Sequence, residues 1–251
     1  MLNTLKIKYY NKDQFIKNLK TAEMDKMHKG LPKLDSEKCD RCGKCEKICP
    51  TNALQMNPFQ IDMSKCIFCG DCERLCKYEG INFTTFNKIS TDSKEALLIH
   101  DEMTQKAFIE SAFKIRKEIK TIFGKSLKLR EVSTGGCGGC ELELNACSNA
   151  NFDMGRYGIE FVASPRHADG LVITGPMTKN MAEALVDAYM CMPEPKVVIL
   201  AGTCAISGGL FKNSNALDRS FLEEHKVDLY IPGCPIHPLT FINGILSFIG
   251  R

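Results

Sequence analysis

The sequence predicts two unlike domains, a small α+β domain rich in cysteine followed by a larger α/β domain built on a parallel sheet. At 251 residues and 44% hydrophobic content, the chain can bury one sizeable core and a smaller unit. Its fourteen cysteines form a dense set from Cys39 to Cys76 and a scattered set from Cys137 to Cys234. Apolar runs alternate with helical stretches only in the second half, which is typical of a parallel sheet covered by helices.

Residues 1–32 are predicted to be a helical extension. The pattern over residues 12–28 indicates a helix that ends at Gly30 and Pro32. The opening residues show no secretion signal, and no stretch reaches the ~18 apolar residues of a membrane helix. We therefore expect a cytoplasmic protein, and in a reducing cytosol clustered cysteines indicate metal binding rather than disulfides.

The dense cysteine set is an internal duplication. Its halves read Cys39-x-x-Cys42-x-x-Cys45-x-x-x-Cys49-Pro50 and Cys66-x-x-Cys69-x-x-Cys72-x-x-x-Cys76. Three thiolates on a tight loop can hold three corners of a [4Fe-4S] cluster, while the fourth cysteine of each half reaches the neighbouring cluster. The pattern therefore predicts two clusters, one held by a first group (Cys39, Cys42, Cys45 and Cys76) and one by a second group (Cys66, Cys69, Cys72 and Cys49).

A pair of zinc sites is the alternative for this set. Zinc motifs usually join two C-x-x-C units across a longer loop, so the doubled run favours clusters. Residues 33–88 resemble the bacterial ferredoxin that binds two [4Fe-4S] clusters, and the resemblance implies a small α+β fold. One departure is Lys77, which stands where a proline often follows the last cysteine.

Residues 89–125 are predicted to link the domains through an amphipathic helix. Within this stretch Phe108, Ile109, Phe113, Ile119 and Phe123 recur at largely helical spacing, with lysines between them.

Residues 126–251 carry the predicted α/β domain. We expect strands at residues 128–132, 159–163, 170–174, 196–201 and 227–231. We expect helices at residues 141–149, 178–190, 216–226 and 238–249.

Four of the six scattered cysteines follow the carboxyl ends of these strands. Ligands collect at that edge of an open α/β sheet, so four thiolates from three loops can hold one further [4Fe-4S] cluster. Glycines surround Cys137 and Cys140, and they let the backbone approach a bulky group closely. A phosphate-binding loop is disfavoured because no G-K-[ST] follows. This third group consists of Cys137, Cys140, Cys204 and Cys234.

The net charge of +3 does not indicate nucleic-acid binding. Three oxidised clusters with their thiolates carry about −2 each, which brings the net charge to about −3. The surplus of lysine and arginine therefore partly offsets cluster charge.

Other polar and sulfur-bearing residues have open interpretations. We expect Cys147 and Cys191 to pack without binding metal. Glu141 and Glu143 fit either a helix first turn or a partner contact. No Ser-His-Asp set or paired-carboxylate pattern stands out, so no catalytic site is expected on this chain alone. One interpretation of Arg166, His167 and His237 is that they form hydrogen bonds with a cluster or with a partner surface.

The segments TGGCGGCELE, YGIEFVASPRHADGLVITGPMTKNM, GTCAISGG and IPGCPIHP together resemble the small subunit of energy-converting, membrane-associated [NiFe] hydrogenases. That family shares its fold with the B subunit of respiratory complex I. The resemblance covers about residues 126–251 and implies a flavodoxin-like domain whose cluster faces a metal site in a separate large subunit. The third group matches the family's four ligands one for one. Complex I subunits typically carry adjacent cysteines at the first position, so Gly138 and Gly139 between Cys137 and Cys140 favour the hydrogenase branch.

The resemblance implies an iron-sulfur electron-transfer subunit with three [4Fe-4S] clusters, in a complex like formate hydrogenlyase. The expected partners are the [NiFe] large subunit, membrane subunits that hold the complex at the inner face of the membrane, and a soluble ferredoxin or dehydrogenase. One alternative is the corresponding subunit of a complex I-like or sulfur-reducing oxidoreductase without nickel. Another is an interaction module stabilised by metal, without redox function.

Overall fold

The computed structural model describes residues 2–12, 15–101, 103–113 and 117–251. It begins with helix α1 (Leu2–Asn11), which is followed by an irregular segment, residues 15–31, that we call the N-terminal strap. The helix predicted over residues 12–28 is wrong for the described part of that span; residues 13 and 14 lie outside it. The reason is that the α/β domain takes up the strap's backbone groups: Ile16 N donates to the Asn151 carbonyl, and the Leu19 carbonyl accepts from Asn243.

The duplicated cysteine motif lies in a small α+β unit with two antiparallel sheets. Strands β1 and β4 form one sheet, and β2, β3 and β5 form the other. A core of its own includes Leu34, Leu54, Ile61 and Ile81. The elements are β1 (Pro32–Leu34), α2 (Lys44–Ile48), β2 (Leu54–Met56), β3 (Phe59–Asp62), α3 (Asp71–Leu75), β4 (Ile81–Phe83) and β5 (Leu98–His100).

The connecting stretch differs from the single helix that the sequence predicts. Strand β5 lies in it and pairs with β3, so the sheet of the small unit continues beyond residue 88. Two short helices follow, α4 (Gln105–Ala112) and α5 (Lys117–Phe123). Thr104 caps α4, because its hydroxyl accepts from the Ala107 N–H at 3.1 Å. Residues 114–116, between the two helices, lie outside the described residues.

The second half forms a five-stranded parallel sheet with helices against it. Its strand order is β10-β9-β8-β6-β7, which is the flavodoxin-like order, with the topological switch between β6 and β8. The predicted fold class is thereby confirmed. The elements are β6 (Leu127–Ser133), α6 (Gly139–Ala146), β7 (Ile159–Phe161), β8 (Gly170–Thr174), α7 (Lys179–Met190), β9 (Val197–Ala201), α8 (Thr203–Ser207), α9 (Phe221–Glu224), β10 (Leu229–Ile231) and α10 (Pro238–Phe248).

The helix predicted over residues 216–226 is mostly absent. Only α9 is helical there, because Leu217 forms a β-bridge with Thr178 and Asp218 N donates to the Met177 carbonyl at 2.9 Å. These bonds hold the chain against the loop that follows β8. The other predicted helices and all five predicted strands of this half are present within a few residues.

The two halves share one hydrophobic core. Met63 and Ile99 of the small unit pack in the same buried cluster as Leu171 and Leu200 of the parallel sheet. The segment after β4 also pairs with the sheet edge, since Thr91 bridges to Tyr230 of β10. The halves are therefore packed as one body. Within the described residues, no helix has the length and apolar character needed to span a membrane.

Candidate functional site

The two halves of the duplicated motif fold alike. A glycine in left-handed conformation stands before each short helix, Gly43 (φ 68°) before α2 and Gly70 (φ 74°) before α3. The helices end at Cys49 and Cys76, whose extended backbone turns the chain away. Each half thus places three cysteines on one loop and helix, and sends the fourth elsewhere.

Backbone amides point at the cysteine sulfurs in the same repeated pattern. An N–H bonded to sulfur favours the thiolate over the thiol and tunes the potential of a cluster. The four bonds are Arg41 N to Cys39 Sγ (3.4 Å), Phe68 N to Cys66 Sγ (3.3 Å), Ala53 N to Cys49 Sγ (3.2 Å) and Gly80 N to Cys76 Sγ (3.3 Å).

The first group surrounds a cavity of ≈ 130 Å³. All four of its cysteines line this cavity, together with Met56, Leu75, Tyr78 and Ile81. Cys76 comes from the second half of the duplication, so the structure brings together the four thiols that the cross-sharing pattern predicts. Among the described residues, no three His, Cys, Asp or Glu side chains converge as they would on one metal ion.

The second group is also brought together, and three of its four cysteines are partly buried. Burial, followed by the charges of Cys69, Cys49 and Cys45, raises the pKa of the Cys72 thiol to about 12. Burial likewise raises the pKa of Cys66, which lies near Cys72, Cys49 and Cys69. Thiols with raised pKa values keep their protons until metal binds, so loading the site releases protons.

The third group lies at the carboxyl edge of the parallel sheet, at the topological switch. Helix α6 carries Cys140 and follows Gly138 (φ 75°), α8 carries Cys204, and Cys234 follows β10. Burial is the largest cause that raises the pKa of Cys140 to about 12 and that of Cys204 to about 11. The charges of Cys137 and Cys234 act on Cys204, and those of Cys204 and Cys234 act on Cys140, so each thiol lies within electrostatic reach of at least two others.

Two glycines at this site stand where any side chain would clash with a neighbouring atom. A Cβ on Gly202 (φ 95°) would lie 2.7 Å from Cys140 Sγ. A Cβ on Gly175 (φ 78°) would lie 1.9 Å from the Gly135 carbonyl oxygen, in the loop that leads to Cys137. The thiol sets, the cavity, the amide donors and these glycines fit [4Fe-4S] clusters held by twelve cysteines.

The second and third groups adjoin across the boundary between the two halves. Thr203, next to Cys204, donates through its hydroxyl to the Cys66 carbonyl at 2.7 Å. The charge of Cys69 contributes to raising the pKa of Cys234, after burial and Cys137. The first group adjoins the second, because the charge of Cys45 acts on Cys72. The three groups therefore stand in the order first, second, third.

The polar residues that the sequence suggests for partner or cluster contacts lie in different environments. Glu141 accepts from the hydroxyls of Ser133 (2.6 Å) and Thr174 (2.9 Å), so it ties α6 to the strand ends. His237 caps α10, because its Nδ1 accepts from Leu239 N at 3.1 Å, and burial is the main cause that lowers its pKa to about 4. Arg166 and His167 are exposed on a short turn.

The non-ligand cysteines differ from each other. Cys147 is fully buried in the core, which confirms its predicted packing role. Cys191 is exposed at the end of α7, so the packing role predicted for it is wrong.

Sequence reasoning missed Glu131 of β6. One of its carboxylate oxygens is buried without a hydrogen-bond partner, and burial, then the charge of Glu141, raises its pKa to about 7. For Glu143 the sequence indicates only a helix first turn or a partner contact. In the structure it lines a cavity of ≈ 270 Å³ together with His28, Cys234 and His237. No spacing signal marks these positions, because the neighbours are distant in sequence.

Comparisons with known proteins identify the family. Residues 137–248 match the family described as NADH ubiquinone oxidoreductase, 20 Kd subunit, and residues 32–55 and 59–82 each match the 4Fe-4S binding domain. An uncharacterized protein of Methanocaldococcus jannaschii is 43% identical over 130 residues, which are 51% of this chain and 87% of that protein. This chain belongs to the 20 Kd subunit family.

Relatives within the 20 Kd subunit family are subunits of different complexes. The probable membrane-bound hydrogenase subunit mbhJ of Pyrococcus furiosus is 36% identical over 49% of this chain and 74% of its own length. The NADH-quinone oxidoreductase B subunit of Desulfovibrio desulfuricans is 42% identical over 45% of this chain and 61% of its own length. The 20 Kd subunit family thus supplies subunits to oxidoreductase complexes, some membrane-bound, and the ferredoxin-type matches imply [4Fe-4S] clusters in this chain.

Proposed function

We propose that this chain is the electron-transfer subunit of a [NiFe] hydrogenase complex, carrying three [4Fe-4S] clusters in its three cysteine groups. Electrons pass between a ferredoxin or dehydrogenase partner and the nickel-iron site of a separate large subunit. When bound, each cluster supplies a one-electron carrier. The observation that carries the proposal is the series of three cysteine groups, with the second and third joined by the Thr203–Cys66 hydrogen bond.

The chain's own residues hold and tune this series. Backbone N–H groups donate to cysteine sulfurs in the first and second groups, and such donors favour added negative charge. The common core fixes the small unit against the parallel sheet, so the spacing between groups does not depend on a flexible linker. We propose that the ferredoxin-type unit of residues 33–88 extends through β5, and that residues 126–251 form the second unit of this single body.

An exposed apolar surface beside the third group supports docking of a large subunit. Leu142 of α6 is 71% exposed, and Leu210 and Phe211, which follow α8, are 57% and 41% exposed. Phe211 also lines a cavity of ≈ 290 Å³ with Cys137 and Pro176. Large apolar side chains that stay exposed beside a ligand group suit a protein interface.

A second exposed surface lies at the other end of the series. Ile48, Leu75 and Tyr78 are exposed beside the first group, at 44%, 38% and 56%. Leu75 and Tyr78 also line the cavity between its cysteines. We propose that electrons from the soluble partner enter here, because the first group is farthest along the series from the large-subunit surface.

Hydrogenase chemistry is favoured by the two glycines between Cys137 and Cys140 and by the similarity to mbhJ. The test is nickel analysis of the purified complex, with hydrogen evolution from reduced viologen. We expect a nickel-containing partner subunit and a rate that Cys204→Ser abolishes. A complex without nickel that still oxidises or reduces a carrier would support the alternative, a complex I-like or sulfur-reducing oxidoreductase.

A further inference from the structure

Arg219 lies in the segment where the sequence predicts a helix and the structure has a loop. Its half-buried guanidinium donates to four main-chain carbonyls, those of Pro176 (3.1 Å), Cys204 (3.2 Å), Ala205 (2.7 Å) and Ile206 (3.1 Å). Two of the contacts involve one terminal nitrogen and two the other, so both arms of the guanidinium are used.

Three of these carbonyls belong to α8, the short helix that carries Cys204. The last carbonyls of a helix have no partner within it, and α8 has only five residues. The Cys204 carbonyl accepts from Gly208 N at 2.8 Å as well as from Arg219, and Arg219 adds donors to the Ala205 and Ile206 carbonyls that follow it. A cation at a helix C-terminus is also favoured by the helix dipole. The side chain therefore holds in place the backbone from which the Cys204 thiol projects.

The fourth carbonyl connects Arg219 to the glycine loop before α6. Pro176 follows β8, and a Cβ on Gly136 would lie 3.3 Å from Pro176 Cδ. The loop bearing Pro176 therefore packs directly against the residue before Cys137. Through one side chain, the segments that present Cys137 and Cys204 are fastened to each other.

The charge of Arg219 also acts on the third group. Its positive charge favours the thiolate of Cys204, and the pKa of Arg219 is lowered by burial and raised by that thiolate. Guanidinium groups remain protonated in proteins, so this is a fixed cation. A fixed cation favours the reduced form of a cluster, which carries one more negative charge than the oxidised form.

We propose that Arg219 is a positioning residue that holds the Cys204 loop and raises the reduction potential of the cluster bound by the third group. This inference rests on the proposed function, because it requires a cluster at that site. Three variants test it: Arg219→Gln removes the charge, Arg219→Lys keeps the charge without the planar fork, and Arg156→Gln is a matched control. Arg156 also donates to four carbonyls, those of Ile16, Lys17, Phe152 and Asp153, and none of them belongs to a ligand cysteine.

The measurement is an anaerobic titration of the full chain with dithionite and mediators, followed by electron paramagnetic resonance. The signal lost in Cys204→Ser identifies the third cluster. In Arg219→Gln we expect its reduced-to-oxidised ratio at a fixed potential to fall about tenfold, which is ~59 mV for one electron. The other two clusters, Arg219→Lys and Arg156→Gln should keep ratios close to those of the unaltered chain.

An unchanged third-cluster ratio in Arg219→Gln overturns the inference, as does an Arg219→Lys ratio as low as that of Arg219→Gln. If Arg219→Gln binds no third cluster, Arg219→Lys decides the question: a near-normal ratio supports the inference, and loss of the signal overturns it. An unaltered chain with no third reducible signal refutes the proposed function, which is a different result.

Discussion

The Thr203 hydroxyl donates to the Cys66 carbonyl at 2.7 Å and also lies 3.2 Å from the Gly233 carbonyl. Thr203 precedes Cys204, and its side chain contacts the backbone of Cys66 in the second group and of Gly233, the residue before Cys234, in the third. This hydrogen bond joins the two predicted domains and helps to fix the second and third cysteine groups relative to each other.

Replacing Thr203 with valine removes this hydrogen bond while keeping the side-chain shape. One buried hydrogen bond is worth about 1 kcal/mol, which corresponds to ~2–4 °C in melting temperature for a chain of this size. We expect a fall of that order in anaerobic calorimetry. The control is Ser207→Ala, whose hydroxyl bonds within α8 to the Thr203 carbonyl at 3.2 Å. A melting temperature in Thr203→Val no lower than in Ser207→Ala would contradict the role of the inter-domain bond.

Cys204→Ser should remove one of three clusters. The thiol belongs to the third group alone, so we expect iron to fall from roughly twelve to roughly eight per chain, with two paramagnetic signals retained. Cys191→Ser is the matched control, because Cys191 is exposed and belongs to none of the three groups. Equal iron content in both variants would refute the assignment of Cys204.

Gly202→Ala should disrupt the third group through a steric clash. The added methyl would lie 2.7 Å from Cys140 Sγ, so either the sulfur or the loop must move. Gly138→Ala is the matched control: its φ is also positive, at 75°, but a Cβ there has no neighbour within 4 Å. Gly138→Ala carries left-handed backbone strain of about 1 kcal/mol. Gly202 (φ 95°, ψ 153°) has a backbone conformation that is essentially restricted to glycine, so Gly202→Ala carries strain of about 1–3 kcal/mol in addition to the clash. We expect only Gly202→Ala to lose the third-cluster signal, and equal retention in both would contradict the prediction.

Glu131→Gln should change how stability depends on pH. In the folded chain the Glu131 carboxyl holds its proton up to about pH 7, whereas its ordinary pKa is 4.5. Between these values the folded state binds more protons than the unfolded state, so this residue's contribution to stability is lost as pH rises. We subtract the melting temperature of the unaltered chain from that of the variant. We expect this difference to be several degrees more positive at pH 8 than at pH 5. A difference that is the same at both pH values would refute the shifted pKa.

The sequence predicts the cysteine groups and the parallel sheet because both are encoded locally. The duplicated spacing determines which thiols of residues 39–76 share a loop, and strand ends converge at one edge of any open α/β sheet. The N-terminal strap could not be predicted, since Leu19 is buried through contacts with Tyr157 and Asn243, which are far away in sequence. The hydrogen bonds of Arg219 are equally non-local, because its acceptors lie in α8 and in the loop after β8.

Metal content of the anaerobically purified full chain tests the central claim most directly. The account predicts roughly twelve irons and as many acid-labile sulfides per chain, with three signals that dithionite reduces. A folded, colourless protein that contains zinc or no metal would contradict it, because the twelve cysteines would then not hold clusters.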